Sequence, residues 1–401
     1  MERYDSYKDS GVKWLGEIPS HWDVLALKHI LKLKKDIVGK RSSQYDLLSL
    51  TLKGVIKRDL DNPEGKFPAS FDTYQVVEPN DFIFCNFDNE ETPRAVGLSS
   101  YKGMITGAYD VLYRNNPKLS DKFLIYYFLY IDDAKRFKPL YKGLRKTVPF
   151  DSFMSYKIPV PSLKEQNAMV NYLDSATSKI DATIAQQQKM IDLLNERKQI
   201  IINNAVTKGL DPNVPMKDSG VDWIGQIPEH WEVKKARLCI NINNGSDPKL
   251  KGDIPVYGSG ADSFRTCGEY KEGPCVLLGR KGATLHIPHY IEGRYWNVDT
   301  AFDVKTKNGM SLRYYYYLAT CFDYPYYMSQ TTLPSMTSFD YNRMKLPIPP
   351  ENEQVVIAKF LEKENQKIDE LIECHKRQIS LLQERKQIII NDVVTGKVKV
   401  I

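Results

Sequence analysis

Two stretches of the chain place apolar residues at alternating spacings of four and three, which is the pattern of a heptad seam. The second seam repeats the first with an offset of 188 residues. The predicted seam residues are Leu173, Ile180, Ile184, Gln187, Ile191 and Leu194 in the first stretch, and Leu361, Ile368, Ile372, His375, Ile379 and Leu382 in the second. Neither stretch contains Pro or Gly, so each predicts one uninterrupted helix of about 45 residues, on the order of 65 Å long.

A narrow apolar seam on an otherwise charged helix fits a single partner helix better than a wide core. Antiparallel pairing of the two predicted helices would bury both seams and place Gln187 near His375. Such polar seam positions weaken a coiled coil locally, yet they can fix its register. The alternative is that each helix packs along the core of its own domain.

A second repeat precedes the helices. The phrase "KDSGVKWLGEIPSHWDV" begins at Lys8, and "KDSGVDWIGQIPEHWEV" begins at Lys217, with 12 of 17 positions identical. A third repeat, "IPVPSLKEQ" from Ile158 and "LPIPPENEQ" from Leu346, opens each predicted helix. The bodies between phrase and helix, residues 25–157 and 234–345, have no comparable identity to each other. The sequence therefore predicts a duplicated framework that carries two different bodies.

The repeated phrase is rich in aromatic residues, among them Trp14 and Trp22 with His21 in the first copy. Large apolar rings in a duplicated framework element favour packing against the rest of the protein. The alternative is a ligand site, because Trp and His side chains can hold a base or a sugar. The corresponding residues of the second copy, Trp223, His230 and Trp231, allow the same two interpretations.

Charge and cysteine content exclude few functions. The net charge is +6, a mild excess that is compatible with a polyanionic partner but does not require one. The six Cys residues form no CxxC pair, and the six His residues have no metal-binding spacing, so no metal site is expected. No run of eighteen apolar residues and no apolar signal segment occurs, so we expect no membrane partner and a cytoplasmic protein.

Motifs of common catalytic sites are absent from the sequence. It contains no GxxxxGK[ST] phosphate-binding loop, no [DNS]PP[FYW] tetrapeptide of amino-methyltransferases and no GxGxxG. Two loose Asp, Glu-x-Lys spacings could hold a nuclease metal: Asp46 with Glu64 and Lys66, and Asp253 with Glu269 and Lys271. In a chain that is 26% charged, surface charge is the simpler interpretation of both.

The repeated phrases, the two helix openings and the "ERKQIIIN" segments at Glu196 and Glu384 resemble the specificity subunit of type I restriction-modification systems over nearly the whole chain. The stretches "VGLSSYKGMITGAYDVLY" and "VLLGRKGAT" resemble parts of two classes of target recognition domain. The resemblance implies a subunit without catalysis of its own that reads a split, bipartite site on double-stranded DNA. It also implies two methyltransferase subunits and up to two restriction (motor-nuclease) subunits as partners, with S-adenosylmethionine, ATP and Mg on those partners and no cofactor on this chain.

With the resemblance, the predicted fold class is α+β: two α/β target recognition domains separated by two long helices that form an antiparallel coiled coil, with a pseudo-twofold internal repeat. The predicted division is residues 1–157 for the first recognition domain, 158–208 for the central helix, 209–345 for the second recognition domain and 346–401 for the C-terminal helix. The helices would set the spacer between the two half-sites.

Glycine-rich and basic loops of the bodies supply the candidate DNA contacts. In "GRKGAT", two glycines flank two cations whose charges can face a phosphate or a guanine edge; a solvated basic hairpin is the alternative. The candidates are Lys40, Arg41, Asn86, Tyr109, Arg145 and Lys146 in the first body, and Tyr257, Ser259, Arg280, Lys281, Thr331 and Ser335 in the second. The rival functions are a coiled-coil scaffold with two protein-binding heads, and the nuclease.

Overall fold

The structure is a computed structural model that describes residues 2–12, 14–59, 68, 70–260, 262–329 and 333–400. The chain divides into two compact units: Met1–Gln186 with Gln378–Ile401 (unit 1), and Gln187–Arg377 (unit 2). The sequence-based division assigns the long helices to segments of their own, whereas each compact unit includes part of both helices. The reason is that the helix ends carry apolar residues that complete the core of the neighbouring body.

Seven α-helices occur in the described part of the chain. They are α1 Asp121–Asp133, α2 Phe150–Met154, α3 Leu163–Lys208, α4 Leu312–Ala319, α5 Tyr324–Tyr327, α6 Ser338–Arg343 and α7 Glu351–Val394. The two predicted long helices are thus α3 and α7, of 46 and 44 residues. No described helix is both long enough and apolar enough to cross a membrane.

Twelve strands lie in the described residues of unit 1. They are β1 Tyr7–Asp9, β2 Glu17–Pro19, β3 Asp23–Ala26, β4 Leu31–Leu33, β5 Leu48–Thr51, β6 Gly54–Lys57, β7 Gln75–Val77, β8 Phe82–Phe84, β9 Val96–Leu98, β10 Gly103–Ile105, β11 Asp110–Arg114 and β12 Lys157–Val160. The main sheet is antiparallel with the order β4-β11-β8-β9, and β7–β10 and β5–β6 form two-stranded sheets. One face of the main sheet packs against α1 and the buried ends of the long helices.

Among the residues that the structure describes, unit 2 contains twelve further strands. They are β13 Met216–Asp218, β14 Gln226–Pro228, β15 Glu232–Lys235, β16 Ile240–Asn244, β17 Ile254–Tyr257, β18 Arg265–Cys267, β19 Lys271–Glu272, β20 Cys275–Gly279, β21 His289–Ile291, β22 Arg294–Asn297, β23 Ala301–Thr306 and β24 Lys345–Ile348. The main sheet has the order β16-β23-β20-β21, and a second sheet has the order β18-β17-β22-β19. Helix α4 packs on the main sheet and buries Tyr314, Tyr315 and Tyr317.

The two main sheets have the same strand order and the same register. In unit 1, Leu31 of β4 pairs with Arg114 of β11. In unit 2, Ile240 of β16 pairs with Thr306 of β23, and Ile240 follows Leu31 by the 209 residues that separate the two opening phrases. The bodies therefore share a fold although their sequences do not match, and the predicted α+β class with an internal repeat is confirmed.

Each body is closed by one antiparallel ribbon. In unit 1, β3 pairs with β12, so that Leu25 lies opposite Ile158. In unit 2, β15 pairs with β24, so that Val233 lies opposite Pro347. The strand that follows the opening phrase thus meets the strand that precedes the long helix.

The repeated phrase docks onto the start of a long helix. Trp22 is fully buried, and its indole N–H donates to Glu165 Oε1 at 3.1 Å, while His21 Nε2 lies 2.7 Å from the same oxygen. In unit 2, Trp231 Nε1 donates to Glu353 Oε2 at 2.9 Å, and His230 Nε2 lies 2.7 Å from Glu353 Oε1. These bonds support the packing interpretation of the phrase.

The Gln that follows each of these Glu residues ties the helix to the body. Gln166 Oε1 accepts from the Ser120 backbone N–H at 2.8 Å, and Gln354 Oε1 accepts from the Ser311 backbone N–H at 2.7 Å. Ser120 and Ser311 are the N-cap residues of α1 and α4. The two repeated Glu-Gln pairs therefore fix the phrase and the body to one point on each helix.

The long helices contact each other inside each unit. In unit 1, Lys386 Nζ donates to Asp181 at 2.7 Å, and in unit 2, Lys198 Nζ donates to Asp369 at 2.7 Å. Lys386 and Asp369 follow Lys198 and Asp181 by 188 residues, so the two ion pairs are copies of one another. In unit 2, His375 Nδ1 also bonds Gln187.

Within unit 2, the paired residues rise in number along α3 as they fall along α7, so these parts of the helices run antiparallel. All twelve predicted seam residues are buried or half-buried: Leu173, Ile180, Ile191, Leu194, Leu361, Ile368 and Ile372 are buried, and Ile184, Gln187, His375, Ile379 and Leu382 are half-buried. Leu173 and Leu361 belong to the apolar cores of the bodies, as the alternative interpretation of the seam expects at these two positions.

Candidate nucleic-acid interface

The central strand pair of each main sheet ends at the same structural position. Phe82 of β8 lies opposite Leu112 of β11, and Val276 of β20 lies opposite Val304 of β23. The residues four positions after Phe82 and Val276 are Asn86 in unit 1 and Arg280 in unit 2. Two candidate DNA contacts chosen from unrelated sequences therefore occupy equivalent places.

The same backbone hydrogen bond attaches a loop to each of these positions. The Val148 N–H donates to the Asn86 carbonyl at 2.8 Å, and the Met336 N–H donates to the Arg280 carbonyl at 2.9 Å. Met336 follows Val148 by the 188 residues of the helix repeat. The loop before α2 and the loop before α6 are thus brought to the same end of the same strand, and we call these two places the strand-end sites.

In unit 1, the strand-end site holds two cations against carboxylates. The Arg145 guanidinium donates to Asp88 Oδ2 at 2.5 Å and lies over the Phe87 ring, 4.7 Å from its centroid. Lys146 pairs with Glu90. The hydrogen bonds from Lys146 and Lys138 lower the pKa of Glu90 to about 2, so this carboxylate is charged at neutral pH. Arg145 and Lys146 remain exposed and can still face a phosphate.

Asn86 and Tyr109 lie at the base of this site. Asn86 is 7% exposed, and its amide donates to Asp110 Oδ2 at 2.7 Å. Burial raises the pKa of Asp110 and that of Tyr109. The Tyr109 ring lies 5.9 Å from that of Phe87. The structure therefore brings Asn86, Tyr109, Arg145 and Lys146 together, with Asn86 in a supporting position.

In unit 2, the strand-end site is formed by the basic glycine turn and the loop before α6. Lys281 forms a β-bridge with Ser335, and Arg280 lies over the Phe302 ring, 5.9 Å from its centroid. Gly282 has a φ of +118°, and a Cβ at this position would lie 2.9 Å from Ser259 Oγ. A side chain would thus be both strained and crowded there. Arg280, Lys281, Ser259 and Ser335 are brought together, with Lys281 exposed.

Four candidates lie elsewhere or outside the described residues. Lys40 and Arg41 belong to the short 3₁₀ helix Gly39–Gln44, where Arg41 donates to Asp36 Oδ1 at 3.0 Å and to backbone carbonyls of its own segment. Tyr257 packs with the apolar cluster of Cys275 and Leu277 and lines a cleft of about 950 Å³ beside α4 and α7. Thr331 lies outside the described residues.

Sequence reasoning missed the carboxylates that organise the site of unit 1. Asp88 precedes Arg145 by 57 residues, so no local pattern links the two. The only available signal was the acidic run "DNEE" from Asp88 to Glu91, which directly follows the strand end. Asp88 also has a φ of +47°, which is uncommon outside glycine.

The residues of the nuclease alternative have other partners. The Glu269 carboxylate accepts the backbone N–H groups of Lys249 and Leu250 at 2.7 and 2.9 Å. Lys271 pairs with Asp303, which is 3% exposed. In the first body, Asp46 pairs with Lys57, while Glu64 and Lys66 lie outside the described residues. Within the described ranges, no three His, Cys, Asp or Glu side chains are grouped so that they could hold a metal ion.

A fold of this kind is found in a solved structure from work on complex assembly and conformational transition of the type I R-M system. The TM-score is 0.69 at 13% sequence identity, and the match covers 95% of this chain and 99% of the other. The chain therefore shares the fold of that structure.

Two curated proteins of Methanocaldococcus jannaschii match the chain along almost its full length. One carries the provisional name of MjaX specificity subunit of a type I restriction enzyme; it is 26% identical over 437 residues, covering 98% of each chain. The other is the type I restriction enzyme MjaVIII specificity subunit, which is 24% identical over 433 residues, covering 98% of this chain and 97% of that protein.

The family model of the type I restriction modification DNA specificity domain matches residues 102–192 and 228–383, more than half of the chain. The chain belongs to this family. The predicted family and its function, DNA sequence recognition for a restriction-modification system, are thereby confirmed. The match falls in two segments, one in each half of the internal repeat.

Proposed function

We propose that this chain is the sequence-reading subunit of a type I restriction-modification complex and that each strand-end site reads one half of a bipartite DNA site. The single observation that carries the proposal is the equivalence of Asn86 and Arg280. One fold presents different side chains at one position, with the same loop attached by the same backbone bond. This is the arrangement that two readers of different sequences need.

The side chains at the two sites have the chemistry of direct readout. Arginine can bond both guanine acceptors in the major groove, and lysine can bond either guanine or phosphate. In unit 2 these groups come from Arg280 and Lys281, and in unit 1 from Arg145 and Lys146. The carboxylates of unit 1 hold its two cations in place. A DNA acceptor must therefore be correctly placed to compensate for the free energy that is lost when these ion pairs break.

The partners and cofactors of the proposed function follow from the family. We propose that the chain binds no metal or cofactor, that two methyltransferase subunits and up to two motor-nuclease subunits dock to it, and that S-adenosylmethionine, ATP and Mg are bound by those partners in the cytoplasm. A non-catalytic role is supported by the bonds of Glu269 and Lys271, whose polar atoms are used for backbone capping and for a buried ion pair.

The long helices would set the spacer between the half-sites as an antiparallel coiled coil. The duplicated ion pairs Lys198–Asp369 and Lys386–Asp181 and the Gln187–His375 bond support a fixed register. Because every seam position depends on the heptad phase, an insertion of four residues in one helix changes that phase.

The test is an exchange of residues 234–345 for the corresponding body of another family member, in a host that carries the complete system. Mapping methylated adenines should show one half-site changed and the other unchanged, with the spacer retained. The control is an exchange of the body for its own sequence with synonymous codons. An unchanged methylated site after the exchange would disprove reading by unit 2.

A second measurement separates sequence reading from the scaffold alternative. The full chain with its methyltransferase partners should prefer its mapped site over a scrambled duplex at raised salt, because nonspecific contacts weaken steeply as salt increases. Equal binding of both duplexes at all salt concentrations would favour a scaffold without DNA readout. Metal-dependent cleavage by the isolated chain, abolished in Glu269→Gln, would favour the nuclease.

A further inference from the structure

The most exposed large apolar side chain of the described residues is Leu144, with a relative exposure of 102%. It lies in the loop before α2, which forms the strand-end site of unit 1. Other exposed apolar residues of this unit retain some cover, for example Leu52 at 68% and Ile37 at 60%. The apolar surface of Leu144 is therefore not buried against the rest of the folded chain.

Leu144 stands on a hairpin with defined geometry. Lys142 and Thr147 exchange backbone hydrogen bonds of 2.8 and 3.0 Å, and the Lys146 N–H donates to the Gly143 carbonyl at 3.2 Å. This bond closes a four-residue turn with Leu144 and Arg145 at its centre. Gly143 and Lys146, which flank the two central residues, have φ values of +69° and +45°. Leu144 is therefore held at the tip of the hairpin.

The neighbours of Leu144 are tied back to the body. Arg145 is bound by Asp88 at 2.5 Å, and Lys146 is bound by Glu90. The Asp88 N–H also donates to the Arg145 carbonyl at 2.7 Å. These bonds fix both the backbone and the side chains of the two residues that follow the tip, so that the leucine side chain projects beyond them.

The loop of unit 2 that bonds its strand-end position also carries an exposed leucine. Leu333 precedes Met336 by three residues and is 54% exposed. Leu144 precedes Val148 by four residues, so the two leucines differ by one position along their loops.

We infer that Leu144 is a specificity-determining contact of unit 1 that packs on the C5-methyl group of a thymine in its half-site. The inference rests on the proposed function and adds a residue and a chemical group to it. A leucine side chain has no hydrogen-bonding atom, so it gains nothing from a phosphate or from a base donor or acceptor. The thymine methyl is the apolar group that the major groove displays, and leucine can bury it.

The experiment uses the full chain with its methyltransferase partners and duplexes that carry the mapped methylation site. Each thymine of the two half-sites is replaced in turn by uracil, which removes only the methyl group. The intact protein should lose affinity by ~4-fold at one thymine of the unit 1 half-site, the loss that corresponds to one buried methyl-sized group. Leu144→Ala should bind the thymine duplex more weakly by a similar factor and should no longer distinguish it from the uracil duplex.

Leu52→Ala is the matched control, because it removes another exposed leucine, with a relative exposure of 68%, from the β5–β6 turn of the same unit. It should retain both the affinity and the uracil sensitivity of the intact protein. Leu144→Met should retain most of the discrimination, since methionine can still cover a methyl group.

Two outcomes would overturn the inference while leaving the proposed function in place. One is a Leu144→Ala complex with unchanged affinity and unchanged uracil sensitivity. The other is an equal loss of affinity on all duplexes, which would indicate a wedge between base steps rather than a methyl contact. By contrast, an intact complex without any sequence preference would overturn the proposed function itself.

Discussion

The two bodies have the same main sheet, but one equivalent position on its central strand is apolar in unit 1 and charged in unit 2. Val111 of unit 1 and Asp303 of unit 2 occupy equivalent positions on the central strand, since Val111 lies opposite Ile83 and Asp303 lies opposite Leu277 in matching registers. Val111 belongs to a small apolar cluster with Ile83 and Val77. Asp303 instead accepts hydrogen bonds from Asn243 at 2.8 Å and from Lys271.

The polar cluster of unit 2 is satisfied by its neighbours. Lys271 Nζ also donates to Asn297 Oδ1 at 2.8 Å, and the Asn297 amide donates to the Ala301 carbonyl at 2.9 Å. Lys271 of β19 and Asn297 of β22 belong to the second sheet, so the cluster joins the two sheets of the body. The same strand order thus occurs with a valine or with a hydrogen-bonded aspartate at this position, so the residue at this position does not specify the strand order.

What the two halves do share is the attachment to the helix. The bonds of Glu165 to His21 and Trp22 recur as bonds of Glu353 to His230 and Trp231, and the bonds of Gln166 recur with Gln354. The framework therefore repeats the same residue pairs in both halves, while the bodies differ even in the core.

The largest expected effect comes from removing the buried anchor. Trp22→Ala and Trp231→Ala should each destabilise their own unit by about 3–5 kcal/mol, because each leaves a large cavity and removes one hydrogen bond from a glutamate. Hydrogen exchange with mass spectrometry reports the two units separately and is the appropriate measurement. Trp14→Ala is the control. Trp14 is 39% exposed, so its replacement should reduce the stability of unit 1 by less. If only one of the two substitutions strongly destabilised its unit, the two tryptophans would not be equivalent anchors.

A smaller effect is expected from the polar cluster. Asp303→Ala should destabilise unit 2 by about 2 kcal/mol, because it leaves Lys271 without its carboxylate; the partial exposure of Lys271 reduces the loss relative to a fully buried pair. The double variant Lys271→Met, Asp303→Leu should recover only part of this loss, since it makes the position apolar as in unit 1 but removes one hydrogen bond each from Asn243 and Asn297. Urea denaturation, followed by hydrogen exchange with mass spectrometry in unit 2, measures the stability of both variants. A double variant as unstable as Asp303→Ala would show that unit 2 requires polar chemistry.

The smallest expected effect is a pH dependence in unit 1. Burial raises the pKa of Glu165, but hydrogen bonds from Ser162, His21 and Trp22 outweigh it, so that the pKa lies below the ordinary value of 4.5. The charged carboxylate therefore stabilises unit 1 above about pH 4.5, and this contribution is lost as the pH falls through the lowered pKa.

Glu165→Gln should thus be less stable than the intact chain at neutral pH, and the difference should narrow below about pH 4.5. Urea midpoints of unit 1 from about pH 7 to about pH 3.5 test this. Glu353→Gln, which changes the equivalent residue of unit 2, should leave the acid response of unit 1 unaltered. A difference that stays constant with pH would contradict a role for the Glu165 charge.

The features that the sequence predicted correctly are those with a repeated or periodic signal. Heptad spacing and the absence of Pro and Gly predicted α3 and α7, and the duplicated tryptophans predicted packing anchors. The candidate sites depend on contacts between distant segments, such as Arg145 with Asp88. Because strand register, rather than residue identity, makes Asn86 and Arg280 equivalent, no pattern in either sequence could reveal it. Tyr257 was chosen for its residue type, whereas its side chain packs in an apolar cluster.

The closing ribbons β3–β12 and β15–β24 have a consequence for how such a protein changes over time. Because the first and last strands of a body pair with each other, the length of the chain between them does not change how the phrase meets the helix. The 21-residue difference in body length between the two halves is therefore absorbed inside the body. Recombination at the ribbons can replace a whole body in one event, provided that the new body keeps the contacts with the long helix, such as the backbone bond to Gln166 or Gln354.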